Sequence, residues 1–176
     1  MDINSLVKIT SRAWSLSILE LMHNGVAGRQ ATLLSASGAS RTAFTQSLNH
    51  LIGLDLLERN PGHGHPLRPE YRLTPKGVSA SVVAAKIKAV ATETSDQILL
   101  RRAWTIPVLA VSHEPRYFKD IKNDLGIISD RALSQSLNQL NSQDWLMRTV
   151  NISARPPRPV YQASNVGAAI SRAVNL

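Results

Sequence analysis

The chain says the same thing twice. Arg12-Ala13-Trp14 returns as Arg102-Ala103-Trp104, and Thr45-Gln46-Ser47-Leu48-Asn49-His50-Leu51 returns as Ser134-Gln135-Ser136-Leu137-Asn138-Gln139-Leu140. Pro69-Glu70-Tyr71, with Gly77 behind it, returns as Pro159-Val160-Tyr161 with Gly167 behind it. The offsets are 90, 89 and 90 residues, so register is kept across most of each half. A period of this length exceeds the roughly 20–50 residues of a solenoid unit and marks a duplicated domain. The 176 residues therefore divide into two small domains, expected at 1–90 and 91–176. A domain that small buries a modest core, so the halves are expected to lean on each other.

Composition narrows the chemistry. There is no cysteine, which excludes disulfides, thiolate catalysis, cysteine-based zinc sites and thiol redox sensing. Aromatic residues make up 5% of the chain, too few for base stacking on single strands to lead. Met1 to Trp14 carries scattered charge and no apolar signal-peptide segment. No run reaches the roughly 18 apolar residues of a membrane span. A cytoplasmic protein without membrane contact is expected. The net charge is +8, and it is not confined to a tail. Residues 1–90 hold ten Lys and Arg against five Asp and Glu, and residues 91–176 hold ten against seven. Basic domains favour polyanions through phosphate neutralisation and counterion release, although a merely basic globular protein has the same balance.

Periodicity supplies the elements of one repeat. Leu6, Ile9, Trp14, Ile18, Leu19 and Leu21-Met22 recur at helical spacing, giving a helix to His23 with a break near Ser11 and a stop at Asn24-Gly25. A short helix over 29–36 follows, and then a Ser37-Gly38-Ala39 turn. Ser40 is placed as the N-cap of a helix over Arg41–Gly53, whose apolar face is Phe44, Leu48 and Leu51. Leu56 to Arg59 and Glu70 to Thr74 read as the strands of a hairpin with a turn-rich tip at 60–66. Thr74-Pro75 opens another helix. Three helices and then a hairpin make the winged helix-turn-helix plan.

The second half repeats that order. A helix is expected over 97–112, bent or restarted at Pro107, and another over 116–125. A Gly126 turn follows, then a helix capped by Ser129 and running to Leu140, and a hairpin from Trp145–Arg148 to Val160–Gln162. Between the halves, 76–100 is expected to form one connecting helix. Its stripe of Val82, Val83, Ile87 and Val90 would pack on its own domain, on the other half or on a second chain. The C-terminal 166–176 reads as a shortened copy. The fold expected is mainly α with small β-hairpin wings (α+β), two tandem winged helix-turn-helix domains joined by a connecting helix.

These motifs carry a resemblance. Each half resembles the HxlR-type winged-helix transcription regulators, relatives of the MarR group. The similarity lies in Ile18-Leu19-Glu20-Leu21, in Arg116-Tyr117-Phe118-Lys119-Asp120-Ile121, in the Ser129–Leu140 recognition helix and in Pro69 to Gly77. It implies a bacterial DNA-binding regulator and a small-molecule effector. Members commonly carry one such domain and pair as homodimers, so pairing of two chains through the connecting and terminal helices is a further implication. Many members also carry an N-terminal cysteine. This chain has none, so cysteine-based sensing does not carry over. The first half has Gly28-Arg29-Gln30 where the basic-aromatic motif would stand.

In a helix-turn-helix the second helix enters the major groove and its N-terminal residues meet base edges. At about 100° per residue, Thr42, Gln46 and Asn49 lie opposite the apolar face, as Arg131, Gln135 and Asn138 do in the second copy. Gln pairs bidentately with adenine and Arg with guanine. Gln46 and Gln135 are therefore the leading candidate base readers, followed by Thr42 and Arg131. Ser40, Arg41 and Thr45, with Ser129 and Ser134, complete the two candidate reading heads. A solvated helix face would look the same. The wings offer Arg59, His63, His65 and Arg68 in one half and Arg148, Arg155 and Arg158 in the other, for phosphate or a narrow minor groove. The His63-Gly64-His65 pair lacks a third metal ligand nearby in sequence, so no metal or other cofactor is expected.

Double-stranded DNA is thus the expected partner, met by an intramolecular pseudo-dimer on unequal half-sites. No nucleophile–base pair or phosphate-binding glycine loop suggests an enzyme. The rival is a winged-helix protein-interaction module, which Asp120, Asp124 and Asp130 favour for the second half. An effector pocket is expected between the domains and the connecting helix near Trp14 and Trp104, unless both indoles are simply core.

Overall fold

The computed structural model describes residues 1–65 and 68–174, without the side chains of 62–65 and 68. The first half runs α1 (Ile3–Thr10), α2 (Ser15–His23), α3 (Gln30–Ser37), α4 (Arg41–Gly53), β1 (Leu57–His65), β2 (Arg68–Leu73) and α5 (Pro75–Val90). The second runs α6 (Thr94–Leu100), α7 (Thr105–Val111), β3 (Arg116–Tyr117), α8 (Phe118–Leu125), α9 (Asp130–Ser142), β4 (Leu146–Asn151), β5 (Arg158–Ala163) and α10 (Asn165–Val174). This is the expected α+β architecture, a winged helix-turn-helix built twice. Among the described residues no helix is long and apolar enough to cross a membrane.

Caps and turns explain the boundaries. The Asp2 carboxylate accepts from the Ser5 amide at 3.0 Å and opens α1. The Thr74 hydroxyl accepts from the Gly77 amide at 3.0 Å, with Pro75 as first residue of α5. The Arg-Ala-Trp repeat is the tight turn between two helices in each half. The Ser15 amide donates to the Arg12 carbonyl and the Thr105 amide to the Arg102 carbonyl, both at 3.2 Å. The break in the second half therefore falls at 101–104 and not at Pro107. Pro107 is the third residue of α7, where a missing N–H costs no intrahelical bond.

The connecting helix is also shorter than expected. It stops at Val90, and α6 starts afresh behind a capping box in which Glu93 and Asp96 each accept from the other's backbone amide. The hairpin tip differs too, because β1 continues through 60–65 past a bulge between Arg59 and Gly64. A two-stranded wing has free edges that tolerate proline, so Pro61 does not end it. In the second half β5 lies between β3 and β4, a third strand that was not foreseen. Among the described residues the first half has an isolated Arg29–Glu70 bridge there.

One contiguous core spans both halves. Phe44, Leu48 and Leu51 of α4 are buried, as are Leu133, Leu137 and Leu140 of α9. The halves interlock through it. Helix α1 packs on α7 and α8 of the second half, and α5 packs on α2 and α10. The Thr10 hydroxyl donates to the Ala103 carbonyl across the seam at 2.8 Å, and the Arg101 guanidinium lies 4.6 Å over the Trp14 ring. Within the connecting helix, Ile87 is buried, Val82 and Val83 are half-buried and Val90 is exposed. The stripe thus serves its own domain and the other half together.

Candidate nucleic-acid interface

Two helix N-termini form the candidate reading heads. Each follows a glycine in the left-handed region, Gly38 at φ 69° and Gly126 at φ 67°. A side chain would strain that turn. The Ser40 hydroxyl then accepts from the Ala43 amide at 3.4 Å, and the Ser129 hydroxyl from the Ala132 amide at 3.2 Å. Both serines are therefore structural caps. Each hydroxyl keeps its own hydrogen free to donate.

Burial sorts the helix faces as the spacing predicts. Ser40, Arg41, Thr42, Gln46 and Asn49 are exposed and Thr45 is half-buried. In the second copy Ser129, Arg131, Ser134, Gln135 and Asn138 are exposed. Neither glutamine packs inside, so each head presents an amide-bearing stripe to solvent.

The wings flank these helices. Arg59 is exposed on β1, with Tyr71 opposite, and Arg148 is exposed on β4, with Tyr161 opposite. Arg155 and Arg158 are exposed at the second wing's tip. The side chains of His63, His65 and Arg68 lie outside the described residues. The Glu58 carboxylate holds Arg72 across the first wing at 2.6 Å. In the second half the Asn151 amide donates to the Tyr117 hydroxyl at 2.7 Å, tying the wing to β3. The signal for β3 was the Arg116-Tyr117-Phe118 motif itself, which the first half lacks.

The acids near the second head are largely engaged. Asp130 pairs with Lys122 at 2.5 Å, and Asp124 pairs with Arg116. Asp130 is also the first residue of α9, where the helix N-terminus favours a negative charge. Both carboxylates are exposed, and each has a cation set beside it.

Several clefts lie at or near the seam, one of about 380 Å3 between the start of α1 and Ala110, Val111, Arg116 and Asp124 of the second half. Trp14 is half-buried and faces a cleft of about 270 Å3 with Lys88, Gln97 and Arg101 on its walls. Burial holds the Lys88 ammonium below the usual lysine range, partly opposed by the Glu20 carboxylate. Lys88 donates to the Ser17 hydroxyl at 3.4 Å and to the Gln97 side-chain carbonyl. A larger cleft, about 520 Å3, opens between α1, the end of α4 and α5. It lies away from both Trp14 and Trp104.

The family model described as HxlR-like helix-turn-helix matches the chain twice in tandem, over residues 9–98 and 99–176. No curated protein and no solved structure matches it.

Proposed function

The chain belongs to the HxlR-like helix-turn-helix family through both of its halves, a family of DNA-binding transcription regulators, and from that premise we propose that the two halves grip one DNA duplex as an intramolecular pseudo-dimer on unequal half-sites. The observation that carries this reading is the exposed stripe at Gln46 and Gln135, matched in both copies and set at the N-terminal half of a capped helix. Two such helices meet neighbouring major grooves, with half-sites about 10–10.5 bp apart.

Gln46 and Gln135 are the base readers, with Thr42 and Arg131 beside them. Ser40, Arg41, Thr45, Ser129 and Ser134 contact the adjoining backbone. Arg59, His63, His65 and Arg68 on one wing, and Arg148, Arg155 and Arg158 on the other, hold phosphate or the minor groove. The heads differ, since Arg41 corresponds to Asp130 and Thr42 to Arg131, so the two half-sites differ as well. Pairing of α5 with α10 inside the chain takes the place that a second chain's helix would fill. Binding of a small effector modulates the grip.

Binding-site selection from random duplexes tests the reading. The expected product is an asymmetric site with two half-sites one turn apart. Equal affinity for symmetrised operators built from either half-site would overturn it. Gln46→Ala is expected to cost about 1–3 kcal/mol on the selected site and to relax preference at one base pair. An unchanged selection profile for that variant would remove Gln46 from the readers.

One observation favours a second reading for the second half. Ile127 is 83% exposed in the turn before α9, and Ile152 is 82% exposed in the wing. Apolar side chains on both flanks of a head suit a protein partner.

A further inference from the structure

The positions that line the larger cleft have equivalents in the other half. The Thr74 amide donates to the Leu56 carbonyl at 3.1 Å, as the Ser164 amide donates to the Trp145 carbonyl at 2.9 Å. Leu56 and Trp145 are therefore equivalent positions. Leu56 lines the cleft together with Ile9, Leu54, Ala80 and Val83. Both are buried, Leu56 at 7% and Trp145 at 3% exposure, so the indole takes up more of the interior than the leucine does.

The rim changes in the same sense. Lys8, Lys76 and Ser79 border the cleft of the first half. Their counterparts, at the 90-residue offset, are Ile98, Val166 and Ala169. One copy carries a buried bicyclic ring and apolar residues at these positions. The other leaves a leucine, an opening of about 520 Å3 and two ammonium groups. Lys76 is paired with Asp55 at 3.3 Å. Lys8 is exposed, and among the described residues no carboxylate lies within ion-pairing distance of it. A largely apolar concavity of a few hundred Å3 with a few polar groups at its edge is the usual form of a small-molecule site.

We propose that this cleft binds a small organic anion with a flat, apolar ring system. The ring takes the place that the Trp145 indole takes in the second half, and the anionic group meets Lys8. This assigns a site and a ligand class to the effector response proposed above and rests on that reading for its regulatory meaning. Binding itself needs no DNA, so the test below can fail while the DNA reading stands.

The probes are 1-anilinonaphthalene-8-sulfonate and its neutral analogue N-phenyl-1-naphthylamine, titrated by fluorescence into the folded full chain. The sulfonate is expected to bind saturably at one site. Leu56→Trp, which copies the other half, is expected to weaken both probes about tenfold or more by filling the space. Lys8→Glu lies at an exposed position that leaves the core untouched. It is expected to weaken the sulfonate about tenfold while sparing the neutral analogue. Circular dichroism of each variant checks folding, and Lys8→Glu decides the matter if Leu56→Trp does not fold. Undiminished sulfonate binding in either folded variant, an equal loss of both probes in Lys8→Glu, or non-saturating binding would overturn the proposal.

Discussion

Gly77→Ala is expected to destabilise the protein by about 3 kcal/mol or more, and Gly167→Ala by at least as much. A Cβ on residue 77 would lie 1.9 Å from the Leu56 carbonyl oxygen and 2.9 Å from its carbon. On residue 167 it would lie 1.9 Å from the Trp145 oxygen, and the Leu109 side chain would crowd it at 2.9 Å. Neither carbonyl can swing aside cheaply, because each accepts a backbone amide, from Thr74 and Ser164 respectively. The segment that enters the first strand of each wing and the helix behind the wing would have to part. The usual gain from Gly→Ala, about 0.4–1 kcal/mol through the unfolded chain, is too small to offset that. Thermal denaturation should show a fall of roughly 6–12 °C, at about 2–4 °C per kcal/mol for a chain of this size. Gly53→Ala is the control, since a Cβ there meets nothing within 4 Å, and its melting point should hold or rise. Unchanged melting in both Gly77→Ala and Gly167→Ala would mean that the close approach of wing and helix is not a feature of the folded chain.

The affinity for the selected duplex is expected to fall at least about a thousandfold between 50 and 200 mM salt, the loss that accompanies six or more phosphate contacts. The two halves supply that number only if both engage. Arg41, Arg59 and Arg68 belong to the first, and Arg148, Arg155 and Arg158 to the second. A slope near half the expected one would mean that a single head grips the duplex. That result would move the second half, with its exposed Ile127 and Ile152, to protein binding, because an apolar interface loses little with salt. Arg148→Ala separates the cases. It should lower the salt slope by about one if the second head lies on DNA, and leave the slope unchanged if it does not.

Much of this architecture was legible in the chain because duplication writes each landmark twice. The recognition helices, their serine caps and the buried Phe44–Leu48–Leu51 face follow from spacing alone, and the exposed glutamines follow from that face. Where tertiary context decides, local pattern misleads. Pro107 reads as a helix breaker, yet the break lies in the Arg102-Ala103-Trp104 turn, which the first half also uses. The absence of Gly and Pro between Gly77 and Leu100 suggests a continuous helix, whereas the Glu93–Asp96 capping box restarts it. A strand of two residues such as β3 has too few positions to show a period. The cleft beside Leu56 is a shape made by α1, α4 and α5 together. Its traces in the sequence are mismatches between copies, Leu56 against Trp145 and Lys8 and Lys76 against Ile98 and Val166.

The shared interior has a consequence at low abundance. A regulator assembled from two separate chains dissociates on dilution, and its stability depends on protomer concentration. Here the partner of each half is tethered by the α5–α6 segment, so the encounter between them is unimolecular. A few molecules in a cell would keep both heads assembled as surely as a concentrated solution does. Each copy is also free to change its sequence without imposing the same change on its mate.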